Sequence, residues 1–198
     1  FSFYPTKQIT TGEGGIVITN NLKLINKIKS LKSFGINTLP QERKIVGLYD
    51  VKNLGFHYRM TDFQAAIGFK QLSRYKKELN IRLSNAKLLH KYLSSLSNIF
   101  LPSFSKNDSY FIFQIFFNSV SIRKKISELL KNKKIGHSVH YMTPVPLMSY
   151  YKKKYKFTSK DFPVSTQYGK LSISLPIHGD LTKKDIYRIY DTIKYGLK

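Results

Sequence analysis

The chain has 198 residues, 41% of them hydrophobic, which suffices for one sizeable core or two small ones. It contains no cysteine, which excludes disulfide frameworks and thiolate metal sites. No uninterrupted apolar stretch approaches the roughly 20 residues that span a bilayer, and the first residues lack the pattern of a signal peptide. We therefore expect a cytoplasmic protein without a membrane partner or a metal.

The net charge of +23 comes from 34 Lys and Arg against 11 Asp and Glu, and such a surplus first suggests nucleic-acid binding. The lysines, however, are spread through nearly every segment, and the dense runs at 131–134 and 152–156 are short. We therefore predict no nucleic-acid partner and expect the positive potential to attract an anionic small substrate. The chain also opens on an aromatic run without an initiator methionine, which indicates a fragment.

The first third of the chain predicts alternating strand and helix, a pattern typical of α/β or α+β proteins. A strand is predicted at 14–19, where glycines lead into a β-branched run. A helix is predicted at 22–31 from apolar residues spaced by three, with Gly35 as its stop signal. Residues 36–54 are of mixed polarity and predict a long irregular loop, a kind of segment that is often functional.

Thr61 is predicted to open the longest helix, because Thr61 and Gln64 have the spacing of a capping box. Five apolar residues of that helix are expected to form a buried face: Ala65, Ala66, Ile67, Phe69 and Leu72. Helical character continues towards Leu96, so the helix is expected to run from one domain into the next. We place the domain boundary near residue 80.

The remainder predicts a compact α+β unit that packs helices on a sheet. Its elements are expected to be strands at 110–117, 135–141 and 171–175, a helix at 121–133 and a C-terminal helix. Ser121 and Thr182 are the predicted N-caps of the two helices. The region between the last two strands is rich in Pro and Tyr and predicts a loop, with residues 150–156 on a solvated helix surface.

The first fifteen residues, FSFYPTKQITTGEGG, carry the sharpest chemical signal, because an aromatic run ends at Lys7 and a glycine-rich turn follows. A lysine amine that is partly desolvated by aromatic neighbours loses its proton more readily, and the neutral amine attacks aldehydes. Lys7 is therefore a candidate nucleophile. One lysine among so many basic residues is, taken alone, also compatible with an ordinary solvated side chain.

This run resembles the cofactor-lysine signature of the DegT/DnrJ/EryC1/StrS family of sugar aminotransferases. Residues 54–68, LGFHYRMTDFQAAIG, resemble the second signature of that family at the expected distance downstream. Further matches follow the family's C-terminal pattern in the same order: Val139–Tyr141 with Pro144 and Tyr150–Tyr151, then 162–164 and 172–176. The ordered blocks cover essentially the whole chain.

The resemblance implies an α/β protein, part of a fold-type-I pyridoxal-phosphate transferase similar to aspartate aminotransferase. Residues 1–80 would be the C-terminal part of the large cofactor-binding domain, and 81–198 the small C-terminal domain. Family members are nearly twice as long, so much of the pocket for pyridoxal 5'-phosphate is expected from an N-terminal part. A homodimer is implied because the second signature reaches the partner's cofactor.

Three residues are implied as cofactor ligands by their positions in the signatures. Lys7 would hold the cofactor covalently and then move a proton between substrate carbon and cofactor carbon. Ser2 matches a position whose hydroxyl contacts the cofactor phosphate, although an ordinary strand serine is the alternative. His57 stands where the family usually has Asn; a histidine can still donate one hydrogen bond to a phosphate oxygen, or it can be structural.

Three further residues are implied at the substrate. Arg59 resembles the arginine of the second signature and would bind an anionic group or brace its loop. His140 and Tyr141 resemble the small-domain pair at the mouth of the sugar site, with a satisfied strand histidine as the alternative. Glu13 has no role that the sequence supports.

The implied reaction transfers an amino group from L-glutamate to a nucleotide-linked keto-deoxy sugar in surface-polysaccharide or glycan biosynthesis. A sugar dehydratase of the same fold would have histidine in place of Lys7, so this alternative is disfavoured. A non-catalytic regulatory or basic binding module stays open. The sequence leaves open which sugar, which nucleotide and which carbon are involved.

Overall fold

The computed structural model describes residues 1–36, 38 and 40–198, without the side chain of Pro40. The chain divides into two compact units, Phe1–Tyr75 and Lys76–Lys198. The division falls inside the longest helix of the described chain. The assignment of 1–80 and 81–198 to a large and a small domain stays a prediction.

The first unit contains helix α1, Leu22–Leu31, a 3-10 turn at Pro40–Glu42, and the start of helix α2, Asp62–Leu93. Asn21 caps α1, because its side-chain oxygen accepts the Leu24 N–H at 3.1 Å. The predicted helix at 22–31 is confirmed. Gly35 lies beyond its end with φ of 76°, a conformation that favours glycine, and its N–H closes back onto the Ser30 carbonyl.

The strand predicted at 14–19 is wrong. Gly15 forms an isolated antiparallel bridge with Ser2, and Ile16 exchanges backbone hydrogen bonds with Phe1, but residues 17–19 run on without regular structure, and the apolar side chains of 16–18 are exposed. A strand is held by a ladder of hydrogen bonds to a neighbour, and the pairing with residues 1–3 does not extend to residues 17–19. The irregular character predicted for 36–54 is confirmed for its described residues, apart from the 3-10 turn.

Helix α2 begins after the predicted capping box, with the Thr61 N–H donating to Gln64 Oε1 at 3.0 Å and the Gln64 N–H to Thr61 Oγ1 at 3.3 Å. The predicted buried face is wrong: Phe69 is 77% and Leu72 60% exposed, and the other three residues of that set are exposed as well. An apolar pattern marks a face that is suited to burial, but burial also needs a packing partner, and the described residues of the first unit supply none for this face.

The second unit is built on a three-stranded antiparallel sheet of order β1-β2-β3. Its strands are β1 Ile99–Phe100, β2 Phe113–Phe117 and β3 Ser172–Leu175, and its helices after α2 are α3 Val120–Asn132, α4 Ser149–Tyr155, α5 Pro163–Leu171 and α6 Lys183–Leu197, with a 3-10 turn at Val145–Leu147. Alternate residues of β2 are buried, as expected for a strand with one face on the core. The core joins this face to β3, α3, α6 and the end of α2.

The N-cap of α3 is Ser119 rather than Ser121, whose prediction is wrong. The Ser119 hydroxyl accepts the Ile122 N–H at 3.2 Å from an extended backbone conformation, whereas Ser121 already lies inside the helix. The predicted Thr182 cap of α6 is confirmed as a full capping box with Asp185.

The strand predicted at 135–141 is also wrong, because only Ser138 bridges to Ser174 at the free edge of β3 before the chain turns at His140. The predicted Pro- and Tyr-rich loop contains helices α4 and α5; Pro163 starts α5 at a position where its missing N–H costs nothing. Residues 150–156 are exposed, as predicted. No helix in the described ranges is both long and apolar enough to cross a membrane.

Candidate active site

Lys7 lies on a tight loop whose two ends are hydrogen-bonded to each other. The Phe3 N–H donates to the Gly14 carbonyl at 2.9 Å, and the Thr11 N–H donates to the Phe3 carbonyl at 3.0 Å. We call these two contacts of Phe3 the clasp. Between its ends, the Lys7 N–H donates to the Tyr4 carbonyl at 2.9 Å and closes a turn. We call residues 4–13 the lysine loop. Its turn leaves Lys7 half-buried.

The glycines after Lys7 are required by the backbone of the clasp. Gly14 has φ of 149°, and a Cβ there would lie 2.6 Å from Thr11 Oγ1 and 2.9 Å from the Met60 side chain. Gly12 also has positive φ, 77°, but open space around it. The glycine-rich turn seen in the sequence therefore allows the chain to return beside Phe3.

Ser2 lies just before the loop, with its backbone fixed by the bridge to Gly15. Its exposed Oγ accepts the Tyr4 N–H at 3.3 Å. Because this contact uses the oxygen as an acceptor, the hydroxyl proton can be donated to an anionic ligand.

His57 and Arg59 form a pair on the segment before α2. Arg59 Nη2 lies 3.1 Å from His57 Nε2, and the guanidinium also stacks over the Phe34 ring at 5.4 Å from its centroid. A guanidinium only donates, so Nε2 accepts and the ring proton is assigned to Nδ1. His57 bridges through its backbone to Ser33, and its exposed ring presents one N–H donor beside a fixed positive charge.

His140 and Tyr141 belong to the second unit. His140 Nδ1 lies 2.8 Å from Ser174 Oγ, and Gln114 Nε2 donates to the His140 carbonyl at 3.3 Å. Tyr141 is 60% exposed, and its ring meets the His140 ring edge-on at 5.3 Å. Gly169 lies against the backbone here, since a Cβ at this position would be 2.4 Å from the Tyr141 carbonyl. The histidine is thus oriented by the sheet edge, while the tyrosine faces solvent.

The first unit therefore holds Ser2, Lys7, His57 and Arg59, and the second holds His140 and Tyr141. The donor types of the first unit fit pyridoxal phosphate, since a primary amine suits its aldehyde and a hydroxyl or an imidazole N–H suits its phosphate. The clasp also holds the amine-bearing residue at a defined backbone position. The role of each of these residues stays a prediction.

The sequence analysis missed a polar face of α2 that holds the lysine loop. Within 62–75 only Gln64, Gly68, Gln71 and Tyr75 are shielded from solvent, at the spacing i, i+4, i+7, i+11 of one helical face. Three of these residues bond to the loop through their side chains. The helical spacing of Gln64, Gln71 and Tyr75 was the signal in the sequence that could have predicted this packing face.

The sequence and the fold of this chain resemble those of known proteins. The sequence matches the DegT/DnrJ/EryC1/StrS aminotransferase family over residues 1–194. Solved structures of aminotransferases share its fold, which confirms the predicted class: α/β, part of a fold-type-I pyridoxal-phosphate transferase. The chain belongs to the DegT/DnrJ/EryC1/StrS aminotransferase family.

Individual relatives are similar along nearly all of the chain. An uncharacterized protein of Methanocaldococcus jannaschii is 33% identical over 98% of this chain and 52% of its own length. The UDP-4-amino-4,6-dideoxy-N-acetyl-beta-L-altrosamine transaminase of Campylobacter jejuni is 32% identical over 98% of this chain and 50% of its own length. The structure of Helicobacter pylori PseC, an aminotransferase involved in the biosynthesis of pseudoaminic acid, matches with a TM-score of 0.87 and 26% identity, over 100% of this chain and 52% of that one. The chain thus spans about half the length of these relatives.

Proposed function

We propose that the protein containing this chain is a pyridoxal-phosphate-dependent transaminase that moves the amino group of L-glutamate to the keto carbon of a nucleotide-linked deoxy sugar. The observation that carries the proposal is Lys7 on its clasped loop, within a run that resembles the family's cofactor-lysine signature. The Campylobacter relative is named for such a transaminase, and a GDP-perosamine synthase of Escherichia coli is 30% identical. In this proposal the aminated sugar serves surface-polysaccharide or glycan biosynthesis.

Each residue of the site has a separate task in this proposal. Bound pyridoxal phosphate supplies the electron sink that makes the substrate's α-proton acidic. Lys7 Nζ would hold the cofactor until the amino group of glutamate displaces it, and the freed amine would then move the proton from the substrate carbon to the cofactor carbon. Ser2 donates to the phosphate of its own chain's cofactor and His57 to that of the partner's cofactor, and Arg59 keeps the His57 ring in its Nδ1–H form. His140 and Tyr141 bind the sugar or its phosphates.

The proposal includes a cytoplasmic homodimer, with His57 serving the partner's cofactor. Light scattering tests the stoichiometry, and an active monomer at assay concentration would contradict the dimer.

The alternative of a basic binding module has no supporting feature in the described structure. The lysines of α4 are exposed and spread around a short helix, as expected for solvated side chains.

A direct test incubates the complete protein with pyridoxal phosphate, L-glutamate and a panel of UDP- and GDP-linked keto-deoxy sugars. Release of 2-oxoglutarate that depends on one of the sugars is expected. The Lys7→Ala protein serves as the control for uncatalysed release. Cofactor binding without 2-oxoglutarate release for any sugar in the panel would overturn the proposed substrates, and absence of both would overturn the proposed activity.

A further inference from the structure

The lysine loop has almost no regular structure of its own. Between the clasp at Phe3 and Gly14 it consists of turns and bends, with no strand or helix. Transfer of a proton by a lysine requires its nitrogen to be held near the productive geometry, and a misplacement of about 1 Å can cost on the order of a hundredfold in rate. Some other part of the protein must therefore restrain the backbone around Lys7.

The restraint comes from the polar face of α2. Gln71 uses both ends of its amide on one residue of the loop: Oε1 accepts the Thr10 N–H at 3.2 Å, and Nε2 donates to the Thr10 carbonyl at 2.5 Å. This pairing satisfies both backbone groups of Thr10, as a neighbouring strand would. Thr10 is in turn tied to the clasp, because its hydroxyl donates to the Phe3 carbonyl at 3.0 Å.

Two more contacts from the same face lie on either side of Gln71. Tyr75 OH donates to Gln8 Oε1 at 2.9 Å, and Gln64 Nε2 donates to the Glu13 carbonyl at 2.9 Å. Between them Gly68 lets the helix approach, since a Cβ there would lie 3.0 Å from the Thr11 side chain. Helix α2 thus holds the lysine loop at Gln8, immediately after Lys7, and again at Thr10 and Glu13.

We propose that Gln71 is a positioning residue for Lys7: by pairing with Thr10 it fixes the backbone of the lysine loop, and Tyr75 assists by holding Gln8. This inference rests on the proposed function of Lys7. Gln71 has no contact with the reacting atoms in this role. It acts through the loop, in place of the β-ladder that the irregular segment does not form.

The test compares Gln71→Met with Lys70→Met in the complete protein. Met keeps the length of the Gln71 side chain and removes both hydrogen bonds, while Lys70 is an exposed neighbour on the same helix. Without cofactor, Gln71→Met is expected to raise amide hydrogen exchange at Thr10 about tenfold, with exchange in α6 unchanged. With cofactor, kcat is expected to fall about tenfold while KM for glutamate changes less than about twofold. Lys70→Met should match wild type in both measurements.

Exchange and kcat within twofold of wild type in folded Gln71→Met would overturn the proposal, and so would a loss shared equally by Lys70→Met. If Gln71→Met fails to fold, Tyr75→Phe removes a single hydroxyl and should give smaller changes in the same directions; no change there would likewise overturn it. Wild-type protein that forms no visible cofactor band would instead overturn the proposed function. The exchange measurement without cofactor would then still decide whether Gln71 restrains the loop.

Discussion

Arg59 donates a hydrogen bond to Nε2 of His57 at 3.1 Å, and this contact determines what the histidine can offer a ligand. With Nε2 occupied as an acceptor, the ring has one donor left, Nδ1–H. An asparagine amide has the same two functions, since its oxygen can accept from the arginine while its NH2 group donates. The pair would therefore let His57 take the role of the asparagine that the resemblance to the family leads us to expect at this position.

The first prediction follows from this equivalence. His57→Asn should keep or improve affinity for pyridoxal phosphate, because it preserves one acceptor and one donor in a smaller side chain. His57→Ala should weaken binding by about 1 to 3 kcal/mol through loss of the phosphate contact. Titration of each cofactor-free variant with pyridoxal phosphate measures its affinity for the cofactor. Lys52→Ala, the loss of an exposed side chain five positions before His57, is the control. Equal affinity in all four proteins would make His57 structural.

The second prediction concerns Lys7. In the complete protein, Lys7→Ala should abolish both the visible band of the lysine-bound cofactor and turnover, because one residue supplies the covalent link and the proton transfer. Lys7→Arg should fail as well, since a guanidinium stays protonated and does not attack an aldehyde. Absorption spectra and 2-oxoglutarate release provide the measurements. Near-normal turnover in Lys7→Ala would require the alignment with the family signature to be abandoned.

The third prediction tests the clasp around the lysine loop. Gly14→Ala should lower the free energy of unfolding by about 1 to 3 kcal/mol, because positive φ is strained for alanine and its Cβ would meet Thr11 Oγ1 at 2.6 Å. Gly12→Ala is the matched control, as it has positive φ but nothing within 4 Å of the added Cβ. Denaturant titration should therefore show the larger loss for Gly14→Ala. The reverse order would contradict the described clasp.

The fourth prediction concerns the pH dependence of the second unit. In the capping box of α6, hydrogen bonds from the Thr182 hydroxyl and backbone N–H lower the pKa of Asp185. A carboxyl group with a lowered pKa stabilises the folded state above its ordinary, unfolded-state pKa, and this contribution disappears as the pH falls through the folded-state value. Asp185→Ala should therefore melt below wild type at pH 7, with the difference shrinking in acid. Asp191→Ala, an exposed change later in the same helix, serves as the control for the loss of one carboxylate from α6.

Local signals in the sequence determined helices α1, α2 and α6 and singled out Lys7 as the candidate reactive lysine. The capping boxes at Thr61 and Thr182, and the helix at 22–31, depend on contacts within a few residues, so spacing alone predicted them. The motif around Lys7 predicted a glycine-dependent turn for the same reason.

Tertiary structure alone decided which faces are covered and how the lysine is held. The strands predicted at 14–19 and 135–141 are reduced to single bridges, because a strand depends on a neighbour that its own residues do not specify. The apolar residues of α2 between 65 and 72 are exposed, while the polar face centred on Gln71 packs on the loop that carries Lys7. That contact joins residues 61 positions apart, and no local pattern encodes a hydrogen bond over such a separation.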